Sequence, residues 1–126
     1  MWLTPVNGHD IRKRTALFSK RIVRLYKALP YALANQMMGN QVLRSGTSIG
    51  AQVAEASFAK SRADLVSKLQ GALQESEETH YWLTLIDETA IFPAARMKNI
   101  ISESKEITAI IAAIIGKSQR PSNTQQ

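Results

Sequence analysis

One pair of residues in this sequence has the types and the spacing needed to bind a metal ion: Glu77 and His80, three positions apart. An acid and a histidine at this spacing supply two ligands from one helix in di-iron bundles, where a second such pair and two more carboxylates complete the centre. The only other histidine is His9, and no acid stands three residues before it. We therefore predict no metal site, and we expect His80 to be partly buried and hydrogen-bonded.

Other arrangements that would support catalysis are absent from the sequence. No arginine precedes either histidine at the short spacing found in some helical ribonucleases, and there is no glycine-rich phosphate loop. The chain contains no cysteine, which excludes disulfides, thiolate metal sites and cysteine nucleophiles. We expect a protein that is not an enzyme and that uses no cofactor.

The charged residues indicate an anionic partner instead. The formal charge is +6; residues 8–30 carry seven bases and one acid, whereas residues 61–90 carry two bases and six acids. At about 100° per residue along a helix, four of the N-terminal bases fall into one column opposite the apolar face. With the neighbouring Arg21 they form what we call the basic surface: Lys13, Lys20, Arg21, Arg24 and Lys27.

We predict that the basic surface binds the phosphate backbone of structured RNA or DNA. Like charges this close repel one another, and a row of phosphates would relieve the repulsion and release counterions. No aromatic residue interrupts the column, so base stacking on it is not expected. Two alternatives stay open at this point, namely a solvated helix face and pairing with acids of a neighbouring subunit: Glu75, Glu77, Glu78 and Glu88.

Helices must position these residues, because apolar side chains recur every three or four positions in four separate segments. We predict helices over about 11–29, 34–58, 61–89 and 93–115. Together they indicate an all-α protein, an antiparallel up-down-up-down four-helix bundle. The β-branched residues of 107–115 would also suit a buried strand, but a lone strand would have no partner.

Residues that begin and end helices support these bounds. Asp10 is a predicted N-cap, and Ser61 with Asp64 has the spacing of a capping box. Pro93 is expected to be the first residue of the fourth helix, and Gly116 is expected to end it.

Two glycines in the second predicted helix, Gly46 and Gly50, lie four positions apart. They leave two bare patches on one side of the helix, where another backbone can approach closely. A break of this helix near Gly39 is the alternative.

The chain is divided accordingly into an N-terminal arm (1–9), the bundle (10–116) and a disordered tail (117–126). Its longest strictly apolar run, 109–115, is too short to span a bilayer. The N-terminus does not have the pattern of a signal peptide. We expect a cytoplasmic protein without a membrane partner.

A second apolar face is predicted on the third helix. Tyr81, Leu85 and Trp82 lie about 160° to 260° away from the stripe that faces the core. Clusters of exposed aromatic residues mark interfaces, and Phe92 would extend this patch. We predict an oligomer interface at Tyr81, Trp82, Leu85 and Phe92; a wide core stripe is the alternative.

Three stretches of the sequence resemble one known bacterial family. They are RSGTSIGAQVAEA at 44–56, SRADL at 61–65 and LQESEETHYWL at 73–83. The family is called "four helix bundle protein" and includes proteins encoded by intervening sequences in large-subunit ribosomal RNA genes. The chain is more distantly similar to the accessory variability protein of diversity-generating retroelements.

The resemblance implies a ring-like homo-oligomer, commonly a pentamer, that binds nucleic acid or a reverse transcriptase through basic surfaces. Gln52 stands where the family often has asparagine. The residues that match the family motif are interpreted as polar contacts within the bundle or at an interface: Arg44, Ser48, Glu55, Arg62 and Asp64. The predicted function is a nucleic-acid-binding oligomer. The alternative is a protein-interaction scaffold or accessory subunit that does not bind nucleic acid directly.

Overall fold

The structure, a computed structural model, describes Leu3 and residues 10–119 of the chain. In that part four helices follow one another and no strand occurs: α1 (Ile11–Ala28), α2 (Leu33–Ala56), α3 (Arg62–Glu88) and α4 (Ala94–Ser118). The four predicted helices are confirmed to within about three residues at each end. The segment 107–115, whose composition also suited a strand, is helical.

The helices form an antiparallel bundle in which each packs against its neighbours in the chain. α1 and α4 close the bundle, and their seam is the most sparsely packed of the four. Large apolar side chains from every helix fill the core and are fully buried, among them Phe18, Ile49, Leu83 and Ile111. The up-down-up-down topology is confirmed, and the assembly of bundles into a ring stays a prediction. None of these four helices is long and apolar enough to cross a bilayer.

Side chains cap the starts of α1 and α3 as predicted. The carboxylate of Asp10 accepts hydrogen bonds from the backbone N–H groups of Arg12 and Lys13. Ser61 Oγ accepts from the N–H of Asp64 at 3.0 Å. The carboxylate of Asp64 reaches back as a capping box requires, although it accepts from the N–H of Lys60, at 3.0 Å.

The bounds of α4 differ from the prediction at both ends. Pro93 is the N-cap residue of α4, and the helix begins one residue later. Gly116 does not end α4, which continues to Ser118, two residues beyond the predicted end of the bundle. The last turn is closed by bonds to two isoleucine carbonyls, Ser118 Oγ to Ile114 at 2.8 Å and the Gln119 N–H to Ile115 at 3.1 Å. A glycine within a helix costs about 1 kcal/mol relative to alanine, and here these bonds carry the helix past it.

Gly46 and Gly50 of α2 face α1, and the close approach of another backbone that their spacing predicted occurs at Gly50. A Cβ on Gly50 would lie 3.2 Å from the backbone oxygen of Thr15, and one on Gly46 would lie 2.8 Å from Ile22 Cγ1. Only a hydrogen fits between the two helices at these points without displacing a neighbour. α2 continues through Gly39 without a break.

One residue of the predicted arm takes part in the core. Leu3 is 3% exposed and belongs to the same cluster of buried apolar residues as Ile11. His9, which the sequence places in the arm, lies outside the described residues. The predicted disordered tail lies outside them too from residue 120 onward.

Candidate nucleic-acid interface

α1 presents the basic surface by burying its opposite face. Residues recurring every three or four positions turn into the core: Ile11, Thr15, Phe18, Ile22 and Leu25. Lys13, Lys20, Arg24 and Lys27 are exposed on the other side of the helix, as the angular analysis predicted. Arg21 lies between the two faces and is half-buried.

Two other bases of α1 are neutralised within the chain. Arg14 Nη2 lies 2.6 Å from Glu103 Oε1 and 3.1 Å from Glu106 Oε1, which joins α1 to α4. The hydrogen bond to Glu103 raises the pKa of Arg14 above its ordinary value. Arg12 Nε lies 3.5 Å from Asp10 Oδ1.

The basic surface itself is uncompensated. None of its five residues forms an ion pair with any other residue in the part of the chain that the structure describes. α1 contains no acid from Ile11 to Ala28 that could supply a partner along the helix. Five positive charges on less than five turns of one helix therefore remain available to an external anion.

Arg96 of α4, which is not among the residues predicted for the site, faces the same surface. It lines a cleft at the seam between α1 and α4 together with Arg21 and Arg24. The side chain could not be found from its own helix alone, because its position opposite α1 follows from the closure of the bundle.

Charge is arranged differently where α2 packs against α3. Arg44 forms ion pairs with Glu75 Oε1, at 3.2 Å, and with the carboxylate of Glu78. Glu78 also accepts a hydrogen bond from the indole N–H of Trp82 at 3.0 Å. The hydrogen bond from Arg44, helped by the one from Trp82, lowers the pKa of Glu78. Glu75 and Glu78 thus already have a partner within the chain, which weakens the alternative that they pair with the basic surface of a neighbouring subunit.

The other residues of the motif are placed as follows. Ser48 Oγ donates to the carbonyl oxygen of Arg44 at 2.6 Å, and Glu55 lies 3.7 Å from Lys68 Nζ. Asp64 caps α3, whereas Arg62 is exposed and has no hydrogen-bond or ion-pair partner within the described residues. Polar contacts are therefore present for four of the five motif residues, and Arg62 has none among the residues that the structure describes.

Gln52 makes a steric contact across the α2–α3 seam. Its side-chain amide occupies the space that a Cβ on Gly71 would need. Gly71 was not singled out from the sequence, since only the facing helix shows that a side chain at this position would displace the amide end of Gln52.

The predicted interface patch is smaller than expected. Tyr81 is 57% exposed and meets Trp82 edge to face, with 4.9 Å between the ring centroids. Trp82 and Leu85 are half-buried. Phe92 is 6% exposed and belongs to the core, so the prediction that it extends an exposed patch is wrong. The turn after α3 folds its ring inward, under the guanidinium of Arg96 at 4.4 Å from the ring centroid.

His80 is half-buried on the side of α3 that meets α4. Its Nδ1 is buried without a hydrogen-bond partner, so the expected hydrogen bond is absent at this atom. In the described part of the chain, no three side chains of histidine, aspartate or glutamate are grouped so that they could hold a metal ion.

Comparison with known proteins assigns the chain to a family. A family model described as 23S rRNA-intervening sequence protein matches residues 8–113. The chain belongs to this family. The match spans the whole basic surface, the α2–α3 ion pairs and Arg96, and it confirms the resemblance that the sequence motifs indicated.

A solved structure of a related chain supports the assignment to the intervening sequence proteins. It is a protein of unknown function from the S23 ribosomal protein family of Bacteroides thetaiotaomicron VPI-5482, determined at 1.70 Å. The two chains are 42% identical, and the similarity covers 83% of this chain and 97% of the other with a TM-score of 0.79. No curated protein matches the sequence.

Proposed function

We propose that this intervening sequence protein is a non-enzymatic, cytoplasmic homo-oligomer that binds the phosphate backbone of structured RNA or DNA. The observation that carries the proposal is the basic surface: five bases on α1 that have no acidic partner in the described part of the chain. Arg12 and Arg14 of the same helix do have partners. The unpartnered bases therefore include every fully exposed cation of α1.

The spacing of the cations suits a nucleic-acid backbone. Lys13, Lys20 and Lys27 repeat every seven residues, which is about 10.5 Å along a helix. That distance corresponds to about three base steps of a duplex at 3.4 Å each. Contacts of this kind position a protein on a duplex without reading its sequence, and they release counterions, so the affinity falls steeply with salt.

The test is fluorescence anisotropy of a labelled RNA duplex and a labelled DNA duplex, titrated with protein at low and near-physiological salt. For five phosphate contacts, the logarithm of the affinity should fall with the logarithm of the salt concentration with a slope of about −4 to −5. Changing Lys13, Lys20, Arg24 and Lys27 together to Gln should remove most of this slope and weaken binding at least about tenfold.

A matched control removes the same charge elsewhere. Lys60, Lys98, Lys105 and Lys117 are all exposed and lie outside the basic surface, so their joint replacement by Gln lowers the net charge equally. The proposal expects the control variant to bind much as the wild type does. Equal losses in the two variants would show that net charge alone drives binding, and no binding by the wild type at low salt would refute the proposal.

A second function, a scaffold or accessory subunit that works through protein contacts, is favoured by the exposure of Tyr81. An aromatic ring that is 57% exposed beside a half-buried Trp82 has the composition of an interface centre. Tyr81→Ala is a cleaner test than Trp82→Ala, because Trp82 packs against the core and bonds Glu78.

Light scattering measures the effect of Tyr81→Ala on assembly. Five copies of a 14.0 kDa chain give a particle of roughly 70 kDa, the size that the family resemblance implies. Under the scaffold hypothesis, Tyr81→Ala lowers this mass or releases a co-purified protein, while Leu17→Ala, at another exposed apolar residue, does neither. An unchanged mass and unchanged partners would argue against a contact at Tyr81.

A further inference from the structure

The seam between α1 and α4 has two halves of opposite character. In one half Arg14 meets Glu103 and Glu106 of α4. Two turns further along α1, Arg21 occupies the same face of the helix, but α4 presents Arg96 there. An arginine thus meets acids at one end of the seam and another arginine at the other.

No carboxylate on either helix can neutralise this second half. α1 contains no acid, and α4 contains none between Ala94 and Ser102. The two acids at this end of α3 line other grooves, Asp87 with Lys98 on the far side of α4 and Glu88 beside Tyr81. The repulsion among Arg21, Arg24 and Arg96 is therefore not relieved by either helix of the seam.

The three arginines line a cleft of about 190 Å³ whose remaining wall is apolar. Leu25 and Ile100, 7% and 5% exposed, close its inner side. At the volume that water occupies in the liquid, about 30 Å³ per molecule, the cleft has room for a phosphate group and part of its hydration shell. The apolar wall strengthens the interaction of an anion with the guanidinium groups, because it excludes water on that side.

Arg96 contacts an aromatic ring beside the cleft. Its guanidinium carbon lies 4.4 Å from the centroid of the Phe92 ring, a cation–π arrangement, and Phe92 is itself buried. A cation–π contact does not occupy the N–H donors of the guanidinium, so these remain available to an anion. A planar fork of donors matches the oxygens of a phosphate better than an ammonium group does.

We propose that this cleft is a phosphate-recognition site, in which Arg21, Arg24 and Arg96 bind the oxygens of one phosphate group of a nucleic-acid backbone. The site deepens the proposed function and rests on it, since Arg24 belongs both to the cleft and to the exposed column of α1. Backbone phosphates lie along the column, and one of them is clamped between α1 and α4. Arg96 is then a specific anchor contributed by a second helix.

The experiment compares three variants of α4 in RNA-duplex binding at about 50 mM salt. Arg96→Gln should weaken binding about tenfold and reduce the salt slope by up to about 0.9, the value of one phosphate contact, since Arg21 and Arg24 still face that phosphate. Lys98→Gln, two residues away and exposed on the other side of α4, should change binding less than about twofold. Arg96→Lys keeps the charge without the fork and should recover only part of the affinity. Circular dichroism and the thermal midpoint confirm that each variant is folded.

The outcomes separate the cleft from the proposed function. If the wild type binds the duplex and Arg96→Gln behaves as Lys98→Gln does, the cleft proposal is overturned and the basic surface still stands. Full affinity in Arg96→Lys would overturn recognition by the guanidinium fork. If the wild type binds no nucleic acid, the proposed function fails. The cleft is then tested with inorganic phosphate, by its effect on the thermal midpoint. A rise in thermal midpoint with phosphate that is lost in Arg96→Gln would assign the site to a free phosphate; no rise would overturn it.

Discussion

Two faces of this bundle carry exposed arginines, and the neighbouring helix determines what each arginine does. Arg44 on α2 faces α3, which supplies Glu75 and Glu78, so its charge is used within the fold. Arg24 on α1 lines a cleft with Arg96 of α4, and no acid lines that cleft. The same residue type is therefore a structural contact on one face and an available charge on the other, a difference that composition alone does not show.

The largest expected effect on stability comes from breaking the α2–α3 network. Arg44→Met leaves Glu75 and Glu78 close together without a cation, and we expect it to lower the free energy of unfolding by about 1 kcal/mol. Urea denaturation at neutral pH measures the change, and RNA-duplex binding should be unaffected. Arg24→Met is the matched variant on the other face. We expect it to leave the free energy of unfolding unchanged and to weaken RNA-duplex binding. If Arg44→Met kept its stability and lost RNA binding, Arg44 would serve binding and not the fold, which would contradict the difference drawn between the two faces.

The pH dependence should distinguish the same two faces. The hydrogen bonds from Arg44 and Trp82 lower the pKa of Glu78, so its contribution to stability is complete above the ordinary carboxylate value of 4.5 and is lost as the pH falls through the lowered folded value. The stability difference between wild type and Arg44→Met should therefore shrink below about pH 4.5. Urea unfolding midpoints at neutral and acidic pH measure it. A difference that stayed constant into strong acid would show that Arg44 acts through packing.

The smallest effect tests the cost of keeping α1 uniformly basic. Lys20→Glu places an acid four residues before Arg24, the favourable orientation of an ion pair on a helix, and should stabilise the protein by about 0.3–0.5 kcal/mol. The same change should weaken RNA-duplex binding. Repeating Lys20→Glu in an Arg24→Gln background isolates the pair, since the gain should then disappear. A loss of stability on Lys20→Glu would mean that Lys20 contributes to the fold.

Much of the fold follows from the sequence because its signals are local. Spacings of three and four residues define the buried face of α1, and a hydroxyl three residues before an acid defines the start of α3. The helix bounds that were predicted wrongly, at the two ends of α4, depend on weak preferences of proline and glycine for helix ends. Glycine often follows the end of a helix, which is why Gly116 was expected to end α4. Here hydrogen bonds to the carbonyl groups of Ile114 and Ile115 extend α4 two residues further.

The candidate site was only partly predictable, because it depends on contacts between helices. The exposed column of α1 could be read from one helix, whereas Arg96 joins it only when α4 closes the bundle against α1. Phe92 was misassigned for a related reason. Angular position along α3 says nothing about a residue in the following turn, and that turn folds the ring into the core.

The two glycines of α2 give the position of the basic surface an unexpected dependence on residues that carry no charge. At Gly50 the two backbones approach so closely that an added methyl group would require α1 to shift by a few tenths of an ångström. If α1 moved as a unit, the width of its gap to α4 would change with it. A substitution at Gly50 would thus test the proposed anion site from the interior of the bundle, because it would leave every cation of that site in place.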